Sequence, residues 1–159
     1  MAERKYWLFK SEPTAYSFTD LLNEPGQTAE WDGVRNYQAR NFMRDEMRVG
    51  DGVLFYHSSS DPLAVVGSAR IVREAYPDST AWDPNNEHFD PKSTPGNPIW
   101  LMVDIQAEGE FARPVPLQEI KLNPRLQNML LARRGMRLSL QPVTEDEWQE
   151  IVSLGTGAR

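Results

Sequence analysis

The chain has 159 residues, 40% of them hydrophobic and 25% charged, which is the composition of one ordinary globular domain. It has no cysteine, and His57 and His88 are its only histidines, so disulfides, thiolate chemistry and a histidine-rich metal site are excluded. A formal net charge of −6 excludes gripping duplex nucleic acid mainly through a broad basic face, because counterion release from phosphates supplies most of that kind of affinity. Any nucleic-acid binding must therefore combine a pocket with a local basic patch on an acidic body. No apolar run is long enough to span a bilayer, and the N-terminus lacks the layout of a signal peptide; with the missing cysteines, this fits an expectation of a cytoplasmic protein without a membrane partner.

The aromatic-rich Lys5–Lys10 predicts a short first strand. Ser17 with Asp20 forms the pattern of a capping box and opens a short helix that stops at Pro25-Gly26. A polar loop holding Trp31–Asn36 follows. From Asn36 to Val49 the residues Ala39, Phe42, Met43 and Met47 fall at helical spacing, with Gly50 as C-cap and Arg40, Arg44 and Arg48 on the opposite face. Asp51-Gly52 turns into Val53–His57, an apolar run typical of a buried strand, and Leu63–Glu74 predicts a long strand bent at Gly67. The stretch Pro77–Pro98 carries five prolines and no periodicity, the mark of a functional loop in a compact domain. Strands are expected at Trp100–Gln106, Phe111–Val115 and Arg137–Pro142. A helix is expected from Asn123-Pro124, with Leu126, Met129 and Leu130 inward, and another from the Thr144/Glu147 capping box to Gly155. The irregular order of short strands and helices predicts an α+β fold with a small, strongly curved sheet or barrel rather than regular β-α alternation.

Chemistry-bearing residues fall in three places. Lys10-Ser11-Glu12-Pro13 puts a cation, a hydroxyl and a carboxylate at a strand end, where they either read the edge of a base or simply satisfy a loop. Trp31 stands among polar residues, suited to stacking on a base or to lidding the core. Arg35, Arg40, Arg44 and Arg48 are candidates for phosphate contact, against the plainer reading of a solvated helix face. Trp7, Trp100 and Trp148 belong to core patterns, and Trp82 is ambiguous. Ser58-Ser59-Ser60 beside His57 lacks the strained elbow of a hydrolytic nucleophile and reads as a polar turn. No glycine-rich phosphate loop and no zinc-type spacing occurs, so no cofactor and no metal are expected.

Taken in order, YWLFKSEP, WDGVRNYQARNFMR, VGDGVLFYHSS, VVGSARIVREAYPDSTAWDP and RLSLQPVTEDEW resemble an EVE domain from about Lys5 to Leu154. EVE domains are grouped with the PUA, YTH and ASCH domains as PUA-like. The resemblance implies one domain over residues 1–155 followed by a disordered tail, 156–159, and a curved barrel of five or six strands flanked by short helices. It also implies a base-binding pocket near the end of the first strand. Trp31 is its aromatic wall, and Lys10, Ser11 and Glu12 read the base. Val34, Asn36 and Arg40 lie at its lining and mouth, and Tyr56, His57, Ser58, Arg137, Leu138 and Ser139 behind or beside it. Trp82 is expected as a second aromatic wall.

The function expected from this resemblance is a non-catalytic module accommodating one flipped-out, modified base, with modified cytosine in DNA favoured over RNA. The protein is expected to be monomeric, with DNA or RNA carrying the modified base as its partner. Two alternatives stand beside it. One is an amidohydrolase of ASCH type, for which Lys10 and Glu12 are present but the needed threonine is not, Thr14 and Thr19 being the nearest. The other is a nucleoside or small-molecule binder without nucleic acid, consistent with the acidic balance.

Overall fold

A computed structural model describes residues 4–157. Its elements in chain order are β1 (Tyr6–Ser11), α1 (Phe18–Leu22), β2 (Thr28–Trp31), α2 (Tyr37–Asp45), β3 (Gly52–His57), β4 (Ala64–Pro77), β5 (Leu101–Pro116), α3 (Leu117–Leu122), β6 (Leu140–Val143) and α4 (Glu145–Thr156). The six strands form one sheet in the order β2-β5-β4-β3-β1-β6. β1 and β3 run parallel and all other neighbours antiparallel, so the α+β expectation holds in mixed form.

Alternation along the strands buries both faces. Trp7, Phe9, Val53 and Phe55 point to one side, where they meet α1, α2 and residues from all six strands, including Ala29 of β2 and Leu140 of β6. Edge strands at opposite ends of the sheet share one core only if the sheet curls on itself. Leu8, Leu54 and Tyr56 point to the other side, under α3, α4 and Leu126, Met129 and Leu131. The curl has physical causes. The β4–β5 ladder shifts register at four places, one of them at Gly67, where Phe18 packs so closely that an added Cβ would lie 2.6 Å from its ring. The bend expected at that glycine is present.

Several elements differ from expectation. β2 was not anticipated: with four residues and a single buried side chain, Ala29, it is too short to show alternation. Trp31 is therefore the last residue of a strand, not part of a loop. The two strands expected from Trp100 to Val115 are one sixteen-residue strand, because the polar stretch around Gly109 stays paired to Gly67 and Ser68 of β4. α2 ends at Asp45 rather than near Val49. The buried Asp51 carboxylate accepts bonds from the Arg48 and Lys5 amides and the Trp7 indole, which draws the chain out of the helix. The helix expected after Pro124 is instead a pair of single 3₁₀ turns, Pro124–Leu126 and Leu130–Ala132, while α3 just before them was missed. The last strand begins at Leu140 rather than Arg137. Both capping boxes, Ser17/Asp20 and Thr144/Glu147, form as read. α4 runs to Thr156, one residue into the expected tail, and is capped by left-handed Gly157; residues 158–159 of that tail lie outside the described range.

Candidate functional site

The ladder is open between β2 and β6. Beside this seam, where β1 ends, lies a cleft of about 1210 Å³. It is larger than most small-ligand pockets, which hold roughly 300–1,000 Å³. β1 contributes Lys10 and Ser11 to its lining, with Glu12 following; β2 contributes Thr28 to Trp31; the turn after β2 contributes Asp32 to Arg35. Ser139 closes one side and Asn85 to His88 the other.

Trp31 forms the aromatic floor. Its ring rests on Phe9 at 5.1 Å between centroids, meets Phe55 edge-on at 5.5 Å and Tyr16 edge-on at 6.4 Å, and remains partly open to the cleft. It therefore packs on the core and faces the cleft at once. Ser11 donates from Oγ to the Tyr16 carbonyl at 2.5 Å, and the Ser58 amide donates to the Ser11 carbonyl at 2.9 Å. Lys10 donates from Nζ to the Met136 carbonyl at 3.3 Å and from its amide to the Ser139 carbonyl at 2.9 Å, tying β1 to the segment before β6. Burial lowers the Lys10 ammonium from its ordinary pKa.

The wall after β2 is held by a buried carboxylate. Asp78, with a fully buried side chain, accepts from the Gly33 amide at 2.9 Å, Arg35 Nη1 at 3.0 Å, and the Thr80 amide and hydroxyl. Burial alone would raise its pKa, but these hydrogen bonds and the Arg35 charge outweigh it and hold the carboxyl below the usual range. The Arg35 guanidinium also donates to the His88 carbonyl at 2.6 Å and the Val34 carbonyl at 2.9 Å. Gly33 has φ of +78°, and a Cβ there would meet the His88 ring at 2.6 Å, so glycine is required both for the turn and for the imidazole lying against it.

The lining is acidic. Glu12, Glu24, Glu30 and Asp32 face the cleft without an ion pair among the described residues, while the Arg35 charge is balanced by Asp78. Asp32, next to Trp31, is open to the cleft. Desolvation by the surrounding protein raises its carboxyl pKa and nearby Asp78 adds to the shift, against the lowering effects of His88, its own backbone and Arg35. Tyr16, also lining the cleft, has a hydroxyl buried without a hydrogen-bond partner, and burial with nearby carboxylates pushes it up to about 12.

The structure brings together Lys10, Ser11, Glu12, Trp31, Val34 and Ser139 of the residues singled out from sequence, with Arg35, expected at phosphates, also in the lining. The others lie elsewhere. Tyr56 points to the opposite face of the sheet, since neighbours on a strand alternate, and Phe55 is the one on the cleft side. His57 sits behind the cleft, where burial lowers its pKa and its unprotonated Nε2 accepts from the Phe18 amide at 3.1 Å. Asn36 caps α2, Leu138 packs on the core and Arg137 is exposed. Trp82 is not in the lining, and the proline-rich loop presents Asn85 to His88 in its place. In α2, Arg40 bonds Asn41 and the Ile99 carbonyl, and Arg44 pairs with Asp45. Arg48, after the helix, bonds the carbonyls of Met47 and Asp45. Tyr16, Asp32 and His88 were missed; only Asp32, adjacent to the suspected tryptophan, left a trace in the sequence.

The EVE domain family model matches residues 5–154. Human thymocyte nuclear protein 1 is 43% identical over 166 residues, covering 94% of this chain and 73% of that protein. The crystal structure of human THYN1 in complex with 5-methylcytosine-containing DNA superposes with a TM-score of 0.88 at 43% identity, covering 95% of this chain and 97% of that one. A Leishmania major protein gives 0.90 at 44% identity, covering 98% and 97%. An ASCH protein from Zymomonas mobilis, at 14% identity and a TM-score of 0.53, shares the fold alone. The chain belongs to the EVE domain family.

Proposed function

We propose that the protein is a DNA-binding module that takes one flipped-out cytosine, carrying a 5-methyl group, into the cleft beside the β2–β6 seam. The observation that carries this reading is the pairing of the Trp31 ring with unpaired carboxylates around it. An aromatic floor stacks on any base, contributing about 1–3 kcal/mol. The acidic lining selects among bases: a carboxylate accepts from the exocyclic amine of cytosine and repels the carbonyl-rich edge of thymine. Asp32 is the group placed for this. When protonated, it also donates to the adjacent ring nitrogen. These contacts offset the few kcal/mol needed to unstack a base. The human relative crystallised with methylcytosine DNA supports the choice of cytosine and of DNA.

The same geometry favours binding over catalysis. Ser11 is spent on a backbone carbonyl, Lys10 is bonded to another, and no threonine stands beside them among the lining residues other than Thr28 on the far wall. A methyl group adds only about 0.8 kcal/mol of burial, so discrimination against plain cytosine is modest, about fourfold. The test is a titration against short DNA and RNA strands, single and double, each with cytosine, 5-methylcytosine, 5-hydroxymethylcytosine, thymine or N6-methyladenine at one position. Tightest binding to the methylcytosine strand and weakest to thymine is expected. Equal affinity for thymine would sink the edge-reading role, and binding to free nucleoside but no strand would replace DNA by a metabolite.

A further inference from the structure

The cleft itself is acidic, so the phosphates of a DNA strand need a separate place to rest. The arginines that the sequence offered for this are engaged: Arg35 with Asp78, Arg44 with Asp45, and Arg40 and Arg48 with backbone and amide oxygens. A different group is free. Arg133, Arg134 and Arg137 are all exposed, and none of their guanidinium groups has a hydrogen-bond or ion-pair partner among the described residues. They project from a tight turn in which the Met136 amide donates to the Arg133 carbonyl at 3.3 Å and Gly135 takes φ of +78°. That turn is anchored to the cleft by Lys10, whose ammonium holds the Met136 carbonyl, and leads directly into Ser139 of the lining.

Resting on the reading of the cleft as a base pocket, we propose that Arg133, Arg134 and Arg137 form the phosphate-binding rim of this protein, gripping the DNA backbone on either side of the nucleotide whose base enters the cleft. Three unpaired guanidinium groups within five residues suit a run of consecutive phosphates, each offering a fork of donors to the oxygens. Their placement on the β6 side of the seam, opposite the Asp32 and His88 wall, puts unpaired positive charge where the backbone must pass. It lets a protein of net charge −6 attract a polyanion locally.

The experiment is a salt titration of DNA binding, with a short 5-methylcytosine strand and with free 5-methyl-2′-deoxycytidine as separate probes. Three variants are compared with the unaltered protein: Arg133→Ala/Arg134→Ala/Arg137→Ala, Arg44→Ala/Arg48→Ala, and Trp31→Ala. The triple variant is expected to bind the strand about tenfold more weakly at 0.1 M salt, with the slope of log affinity against log salt reduced by about 0.9 per lost phosphate contact, while nucleoside affinity is unchanged. The α2-side variant should match the unaltered protein. An unchanged slope in the triple variant, or a slope that flattens only in Arg44→Ala/Arg48→Ala, overturns the proposal. Trp31→Ala separates it from the base-pocket reading: retained strand binding there, with a flattened slope in the triple variant, leaves the rim standing and removes the pocket. Tighter binding to the RNA counterpart, with the same loss in the triple variant, overturns DNA as the partner.

Discussion

The two walls of the cleft are built in opposite ways. On the β2 side, Asp78 gathers the Gly33 amide, Arg35 and Thr80 into one buried knot, and His88 lies against Gly33. On the β6 side, the turn from Arg133 to Ser139 is held by two bonds from Lys10 and by Gln141 Nε2 donating to the Leu138 carbonyl. The first wall uses its charges on itself and presents acids to the cleft; the second leaves its cations free. Charge counted along a sequence does not reveal which of the two a residue will do. Arg35 and Arg133 both stand in charged stretches of the sequence, yet the Arg35 guanidinium is committed to holding the fold.

This contrast can be broken most strongly at its knot. Asp78→Ala removes the partner of a largely buried guanidinium and should cost about 3–5 kcal/mol of stability in a urea titration. A loss below about 1 kcal/mol would mean the wall is not held by this carboxylate. The depressed Asp78 pKa makes its contribution fully present above the ordinary carboxylate range, near pH 4, and lost as pH falls through its folded value, so the difference between wild type and variant should shrink in acid. Next in size, Trp31→Ala should lower affinity for the methylcytosine strand about 10- to 100-fold, with Trp31→Phe retaining most of it. Some stability is lost as well, since the ring packs on Phe9 and Phe55.

Asp32, proposed to read the base edge, sharpens the comparison further. Asp32→Ala should weaken cytosine binding about tenfold, within the range for one good bidentate base contact. Asp32→Asn, which keeps an acceptor and a donor, should bind nearly as well. With its pKa raised, Asp32 takes up a proton more readily as pH falls, so wild-type affinity should rise as pH is lowered toward the carboxylate range and the Asn variant should be flat. His88, Asp78 and Arg35 face Asp32, and Tyr16 and Glu30 share its cleft, so the flat profile of Asp32→Asn is what assigns the slope to Asp32.

The smallest effect lies behind the cleft. His57 is held neutral, accepting from the Phe18 amide, with a folded pKa below its ordinary value. Its stabilisation is present above about pH 6.5 and fades as pH falls through the lowered value. One hydrogen bond of about 1 kcal/mol is at stake, and His57→Gln should remove the pH dependence.

Much of this site was legible because the EVE-like segments are contiguous and long: Lys10, Ser11, Glu12, Trp31 and Val34 come from two short stretches, and the cleft gathers them all. What was not legible depends on folding at a distance. Whether Tyr56 or Phe55 faces the cleft is fixed by the parity of β3, which an unbroken apolar run conceals. His88 arrives from a proline-rich loop ordered by side chains of Asp78, Asp83, Asn86 and Asp90 bonding nearby backbone amides, a pattern without periodicity. Arg133 and Arg134 escaped notice, and Arg137 was expected beside the pocket rather than at a phosphate, because availability is defined by absent partners and a sequence does not display partners.

An unclosed ladder leaves strand borders on both sides of the cleft, and such borders invite a second molecule to add its own strand. Here each border is cut short. β2 and β6 have four residues apiece, and Glu30 places a charge on the first. In β6, Pro142 stands opposite Trp7, and because a proline nitrogen donates nothing, that nitrogen falls on the outward side of the ladder and withholds a donor from any newcomer. Both borders of the cleft thus give another chain little to zip onto.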